Sequence, residues 1–589
     1  MKIYAVDTEV FEKDYIAVFK NIQTGEFYVY HNDPAGITKI LSKQNSVFAF
    51  YNGKGYDRFV LSSMVRSGVP EDVKKVNDWI IGGNKGWDYP DRRLVDFRFN
   101  LTDLMDDCQP ISLKAIEGHL GLAIVESKVD FTHKGALDEE ELEEVIKYCK
   151  YDVDMVEKLC KLRKNYLQTK IDLGKKAGVP PAKALSLTNA GLTATFLKAK
   201  RKEFYDERAY EYPENLLWEY IPTEVKEFFG RLYDISIPND EVFKGKLEIN
   251  IGECDVTIGF GGIHGAIKKY IEDSVLNARC IRNIDVASYY PHLMVLDGYT
   301  SRAIPNSKIY EDVLQTRILA KSRGDKATAD ALKLVVNTTY GATLAPYSPL
   351  YDPKMARSVC ITGQLRLLEL ANHLCCECET LRLIQINTDG LMVSFETQDE
   401  DKYKEICKEW QERTGFTLEE DGVTKIVQKD VSNYIAVEGP DVKIKGGYLV
   451  RGSHTNGAFS INNNMSIVSK AIIDFFVDGV APEDTINNCE DILQFQIISH
   501  ASSKYSKAYQ EVDGELVQIQ KTNRVYATCD ERFGRLYKKH KTAGNIVKQQ
   551  GLPDHCAIDN ENKLTINDID KTFYINLAKK RIKEFGGKI

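Results

Sequence analysis

Apolar side chains recur at every second position near the start of the chain. KIYAVDTEVF, YIAVFKN and EFYVYHN each show this period, which is that of a β-strand. A helical stretch and a further strand, SVFAFYN, follow, so residues 1–50 predict an α/β opening with a crossover helix. The period becomes helical over residues 139–164, EEELEEVIKYCKYDVDMVEKLCKLRK. Acidic residues crowd its start and basic ones its end, as the helix dipole favours. Residues 175–184, KKAGVPPAKA, read as a linker because of the proline pair. Residues 281–295, IRNIDVASYYPHLMV, read as a buried strand. Residues 308–340 carry two helical patterns broken at Arg323, Gly324 and Asp325, which predicts a helical hairpin. Residues 381–395, LRLIQINTDGLMVSF, predict a strand with a turn at its middle. The last hundred-odd residues mix helical and strand patterns with the basic patches KYSKAY, RLYKKHKTAGNIVKQQ and LAKKRIKEF.

A length of 589 residues exceeds one ordinary core and implies roughly two to four packed units. With 43% hydrophobic and 28% charged residues, the composition is that of a soluble globular enzyme. The net charge of −8 argues against a protein that simply coats nucleic acid, while leaving room for a local basic groove. The 13 cysteines show no repeated CxxC spacing, and Cys375, Cys376 and Cys378 lack the second half of a zinc site. Reduced thiols and a cytoplasmic location are expected. MKIYAVDTEVF reads as a charged strand and not a signal peptide, and no apolar run reaches the ~18 residues of a membrane span.

Two sets of carboxylates change this picture. Asp7 and Glu9 share one face of a strand, and Tyr148 and Asp152 share one face of a helix. Between them YNGKGYDRF places Asn52 and Asp57 at a strand end and a helix start. Phosphodiester hydrolysis is served by two Mg²⁺ ions about 4 Å apart, which carboxylates hold naturally. A nearby Tyr hydroxyl can orient the attacking water. In the second set, Asp285 ends an apolar strand in DVASYYP and Asp389 lies in the turn of INTDG. Between them the hairpin carries Arg317 and Lys321 on one helix, and Lys333, Asn337, Tyr340 and Gly341 on the other. Three cations beside two carboxylates suit a triphosphate, because phosphoryl transfer rests on charge neutralisation and alignment. Taken alone, each carboxylate reads first as a solvated surface charge, and the hairpin as a solvated basic face.

The combination resembles family B DNA polymerases carrying a DEDDy 3′→5′ proofreading exonuclease. DTE, the Asn52-to-Asp57 spacing and the Tyr148-to-Asp152 spacing resemble the three exonuclease motifs in order. SLK at 112–114 resembles the segment that holds a frayed primer. DVASYYP resembles motif A, KLVVNTTYG at 333–341 motif B, and INTDG motif C. FGGIHGA at 260–266 resembles the YxGG segment, and KIKGGY at 443–448 the motif that grips the primer duplex. Asn387 replaces the usual first Asp of motif C, and Phe260 the Tyr of YxGG. Only 48 residues separate Asp285 from Lys333 (333 − 285), a compact, phage-type length.

The resemblance implies an α/β and α+β multidomain fold, an RNase H-like exonuclease followed by a palm–fingers–thumb polymerase. The expected division is exonuclease 1–165, connecting region and start of palm 166–275, palm 276–305, fingers 306–345, palm 346–465 and thumb 466–589. It implies metal ligands at Asp7, Glu9, Asp57 and Asp152, and at Asp285, Asp389 and the Val286 carbonyl. Each site would take two Mg²⁺, with Mn²⁺ able to substitute. Tyr148 would join the exonuclease chemistry. Arg317, Lys321, Lys333, Asn337, Tyr290 and Tyr340 would form the dNTP pocket, with Tyr290 excluding a 2′-hydroxyl. Asn52, Ser112, Leu113, Gly261, Gly262, Lys443, Lys445 and Tyr448 would contact DNA. The implied partners are primer-template DNA, dNTPs, and a helicase or other replication proteins, with the chain monomeric and away from membranes. A nuclease with a DNA-binding C-terminal half would not need motifs A, B and C. Reverse transcriptases and primases lack KxxxNxxYG followed by TDG, and a scaffold would not need two carboxylate sets.

Overall fold

The computed structural model describes residues 1–106, 108, 111–449 and 464–589. Residues 450–463, inside the expected 346–465 palm segment, lie outside the described residues. The first sheet contains β1 (Lys2–Val10), β2 (Tyr15–Asn21), β3 (Phe27–His31), β4 (Ser46–Phe50) and β5 (Leu101–Asp103). Their order is β3-β2-β1-β4-β5. β1 to β3 pair antiparallel, and β4 and β5 continue parallel to β1, the RNase H-like arrangement. Both faces of β1 are covered. Tyr4, Val6 and Val10 pack with Phe48, Val60 and Met64 on one side. Ala5 packs with Val145, Cys149 and Val153 on the other. The period of two therefore turns Asp7 and Glu9 toward the side that Ala5 faces.

Three helices frame that sheet: α1 (Asp57–Arg66), α2 (Leu113–His119) and α3 (Glu139–Leu162). α3 starts at Asp138, whose side chain caps Glu141 N–H while Glu141 caps Asp138 in return. It ends at Leu162, two residues before its predicted end, with Arg163 as its C-cap. The proline pair is not a linker. A helix over Lys164–Lys176 precedes it, and Pro181 opens another over Pro181–Ser186. Proline at a first helical position forfeits only an N–H that has no intrahelical partner, so it starts helices as readily as it breaks them.

The middle of the chain contributes β6 (Lys246–Ile251), β7 (Cys254–Gly259), β8 (Gly262–Ala266), β9 (Tyr270–Asp273) and β10 (Cys280–Val286). After four helices come β11 (Arg382–Ile386), β12 (Gly390–Phe395), β13 (Leu418–Val423), β14 (Lys425–Asp430), β15 (Asn433–Glu438) and β16 (Asp441–Lys445). Seven strands form one sheet, β13-β10-β12-β11-β8-β7-β6, and β16-β15-β14-β9 form a second. The helices are α4 (Tyr289–Leu296), α5 (Lys308–Ser322), α6 (Lys326–Leu344) and α7 (Pro353–Glu377). α5 and α6 make the predicted hairpin. Gly324 turns it at φ +74°, and Asp325 caps Thr328 N–H at 3.1 Å. The predicted strand 281–295 is corrected. β10 ends at Val286, Ser288 adopts φ +48°, and α4 begins at Tyr289. A short apolar run has no period to separate strand from helix. Pro291 falls in the first helical turn, where it is tolerated.

The C-terminal part has α8 (Ser466–Asp478), α9 (Lys571–Glu584), and strands β17 (Ile497–His500), β18 (Tyr505–Val512), β19 (Glu515–Ile519), β20 (Thr522–Ala527), β21 (Phe533–His540), β22 (Ile546–Lys548) and β23 (Cys556–Ile558). They form two sheets, β17-β20-β23 and β19-β18-β21-β22, around a core that includes Ile467, Ile472, Phe495, Val525 and Tyr574. Among the described residues, no helix is long and apolar enough to cross a membrane.

Candidate metal centres

The first centre lies between β1 and α3. Ligand atoms of Asp7, Glu9 and Cys149 all fall within 4.8 Å of one another, and the Cys149 thiol donates to Asp7 Oδ2 at 3.5 Å. Tyr148 and Asp152 belong to the same stretch of α3, one turn apart on one face. Asp57 is the first residue of α1, is 4% exposed, and accepts from Thr8 Oγ1 at 2.9 Å. Asp103, at the end of β5, accepts from Asn52 N–H at 2.9 Å and Lys54 N–H at 2.8 Å. It thereby fixes the loop that delivers Asp57. Asn52 sits there at φ +66° with its side chain exposed.

Sequence reading placed Lys114 in the SLK segment but gave it no role at the carboxylates. Ser112 is the N-cap of α2, its Oγ accepting from Ala115 N–H at 3.2 Å, and Leu113 packs half-buried against the α3 side of the core. The residue that reaches the carboxylates is the next one. Lys114 Nζ pairs with Asp152, lies 3.0 Å from Glu117 Oε1, and sits 4.6 Å from the Tyr148 ring centre. The i,i+3 spacing of Lys114 and Glu117 was the available signal.

Burial and mutual repulsion dominate the electrostatics. Burial, then the Asp152 and Asp57 carboxylates, push Asp7 well above the ordinary carboxylate range, and Lys114 opposes them. Glu9 is raised likewise by burial and by Asp7 and Asp152. Burial raises Asp57 to about 7, against the Thr8 hydrogen bond, and raises Asp152 against the pull of Lys114. Glu117 rises to about 8, also through burial. Four hard carboxylates in one buried place, with Lys114 as the cation among them, are a donor set that fits divalent cations.

The second centre lies where β10 meets the β11–β12 turn. Asp285 stands opposite Gly390 on β12 and Glu419 on β13. Val286 N–H donates to the Asp389 carbonyl oxygen at 2.8 Å, which brings the two carboxylate-bearing segments together. Burial, then the Asp389 charge, raises Asp285, and a 3.2 Å bond from Asn283 opposes the shift. Asn387 has a structural role in the turn. Its side-chain oxygen accepts from Asp389 N–H at 3.0 Å and Gly390 N–H at 2.9 Å. With that oxygen engaged, Asp285 and Asp389 are the pair that fits a divalent cation. Glu419 and Asp421 on β13 share the Asp285 face, and the sequence reading passed over both.

Around this pair, Arg317 of α5 donates to Ser288 Oγ at 3.3 Å, three residues beyond Asp285. Among the described residues, Lys321 and Lys333 form no ion pair, and both side chains and that of Asn337 are exposed. The Tyr290 ring lies 4.6 Å from that of Tyr340, centre to centre. Gly262, at φ +146°, closes the β7–β8 turn, and a Cβ there would meet Thr388 Cγ2 at 2.9 Å. Gly261 has open space at that position. Phe260 is a core residue, ringed by Phe228, Phe229 and Phe243. Lys443 pairs with Asp421 at 2.8 Å and Glu438 at 2.7 Å, while Lys445 lies 5.9 Å from the Tyr434 ring centre. Tyr448 lies under the Arg581 and Lys429 side chains, at 4.3 and 4.7 Å.

No family model and no curated protein matches the chain. Among solved structures it is similar to the family B DNA polymerase from the hyperthermophilic archaeon Pyrobaculum calidifontis, at 13% identity and a TM-score of 0.39, over 100% of this chain and 78% of that one.

Proposed function

We propose that the chain is a template-directed DNA polymerase of the family B type, with a 3′→5′ proofreading exonuclease, acting in genome replication of a viral or phage kind. The observation that carries the reading is the meeting of Asp285 and Asp389 beside Ser288, to which Arg317 of the helical hairpin is bonded. In this reading residues 1–165 edit and 166–275 connect. Residues 276–305 and 346–465 form the palm, 306–345 the fingers and 466–589 the thumb.

Mg²⁺ held by Asp285 and Asp389, and in the editing site by Asp7, Glu9, Asp57 and Asp152, would neutralise phosphoryl oxygens and acidify the attacking hydroxyl or water. The chain's own groups do the rest. Arg317, Lys321 and Lys333 bind the incoming triphosphate, whose α-phosphate is attacked in line by the primer 3′-hydroxyl as pyrophosphate leaves. Asn337 and Tyr340 bound the nascent pair. In the editing site Tyr148 and Lys114 orient water toward the terminal phosphodiester. Lys445, free of the two carboxylates that engage Lys443, approaches the primer backbone.

The test is a primed template with Mg²⁺, with and without the four dNTPs. Extension complementary to the template in their presence, and 3′ shortening in their absence, are expected. Untemplated addition, or no addition, refutes the polymerase reading.

Tyr290→Ala should admit ribonucleotides. The ring beside Tyr340 fills the space a 2′-hydroxyl would occupy, so its removal lifts a steric penalty without removing a binding contact. The dNTP-to-rNTP efficiency ratio should fall roughly tenfold or more, about 1.4 kcal/mol of lost discrimination. An unchanged ratio would move the gate elsewhere.

A further inference from the structure

Helix α2 and the segment after it lie between α3 and the C-terminal part of the chain. On the α3 side, Tyr151 Oη donates to the Ala123 carbonyl at 2.6 Å. On the other side stands Arg524 of β20, whose side chain is 0% exposed. Its guanidinium has no ion-pair partner among the described residues and is satisfied by neutral oxygens. Nε donates to Gln496 Oε1 at 2.9 Å, and Nη1 to Asn562 Oδ1 and to the Asp559 carbonyl. Nη2 crosses to α2, donating to the Gly118 carbonyl at 3.2 Å and the Leu122 carbonyl at 2.7 Å.

Gly118 lies in the last turn of α2, where a cation is favoured, and its carbonyl also accepts from Gly121 N–H at 2.9 Å, while Leu122 lies three residues past the helix end, so the guanidinium ties the helix to the segment that follows it. The contact continues beyond these two residues. Glu126 accepts from Lys521 and Thr522 N–H, both at 2.9 Å, and Ile124 N–H donates to the Asn560 carbonyl at 2.8 Å. Ile498 packs between Ala115 and Ile124, and a Cβ at Gly118 would lie 2.5 Å from Ile498 Cδ1. α2 has only seven residues, too few to hold its place by itself, and it carries Lys114 one turn before Gly118.

We propose that Arg524 is a positioning residue for the editing site. By bonding the last turn of α2 and the segment after it, Arg524 holds Lys114 against Asp152, so that hydrolysis depends on the C-terminal unit being docked. This rests on the editing reading of the first centre. A buried guanidinium spent on backbone carbonyls of a distant segment favours positional control over general stability. A charge retained in a core without a counter-ion is costly unless its hydrogen bonds are all made.

The experiment uses the full chain carrying Arg524→Gln, Arg524→Lys or Glu126→Ala, the last removing two docking bonds from a partly exposed site. Primer degradation, extension and amide exchange over residues 111–126 are measured on each. Arg524→Gln should lower the kcat of degradation by roughly ten- to a hundredfold, as loss of an outer-shell partner does. Extension and primer affinity should stay within about twofold. Exchange over 111–126 should quicken. Arg524→Lys should recover part of the loss, and Glu126→Ala should shift the same quantities less. Unaltered degradation and exchange in Arg524→Gln would overturn the proposal, as would parallel loss of both activities in Arg524→Gln and Glu126→Ala. A wild-type chain that extends but never degrades refutes the editing reading, and exchange over 111–126 still reports whether Arg524 holds α2.

Discussion

Asp389→Ala should abolish primer extension, by ~10²-fold or more, while primer degradation stays within about twofold of wild type. Asp389 and Asp285 form the carboxylate pair at the β10 end, and burial and Asp389 already raise Asp285. Removing Asp389 relieves that repulsion but takes away half of the charge that could hold a divalent cation. Asn387→Ala should be milder, because the Asn387 oxygen closes the turn through Asp389 and Gly390 N–H. Its loss should appear as lower thermal stability with partial extension. A greater loss of extension from Asn387→Ala than from Asp389→Ala would reverse the assignment.

The double variant Asp7→Ala, Glu9→Ala should lose primer degradation by at least ~10²-fold and keep extension. The two centres stand on different sheets, and among the described residues no carboxylate serves both. The variant has a second signature. Asp7, Glu9, Asp57 and Asp152 all titrate above the ordinary range in the fold. A carboxyl whose folded pKa is raised keeps its proton longer when folded than when unfolded. Without divalent cation, stability should therefore fall as pH rises from about 4 through the raised values, about 7 for Asp57. Removing two of the four repelling groups should flatten that fall, and wild-type stabilisation by Mg²⁺ should be largest at the upper end. Thermal melts at pH 5 and pH 8, with and without Mg²⁺, measure both. Loss of extension in a well-folded double variant would mean that the two centres are not separate.

Much of this arrangement is legible in the sequence where a local rule decides it. The period of two in KIYAVDTEV fixes which side of β1 carries Asp7 and Glu9. The acidic start of α3 and the Gly324–Asp325 break fix helices that place Tyr148, Asp152 and the hairpin cations. Where local rules compete, reading fails. The apolar run after Asp285 suits strand and helix alike, and a left-handed Ser288 decides between them. Asn387 reads as a weakened ligand until its oxygen is seen closing a turn. The role of Lys114 is hidden because its partner Asp152 lies 38 residues away on another helix. The grip of Arg524 on Gly118 and Leu122 leaves no trace in composition, because its acceptors are backbone carbonyls, which every residue has.

The position of β10 also bears on how the chain is made. Its neighbours are β12 and β13, so the strand carrying Asp285 stays open along one edge until Leu418–Val423 has been synthesised and has paired. At translation rates of about 5–20 residues per second, that edge waits seconds beside the nearly continuous apolar stretch that follows it. An unpaired strand of this kind is a template for pairing between nascent chains. Ribosome stalling before Leu418–Val423 has emerged from the exit tunnel should therefore yield aggregates, and stalling after it has emerged should not.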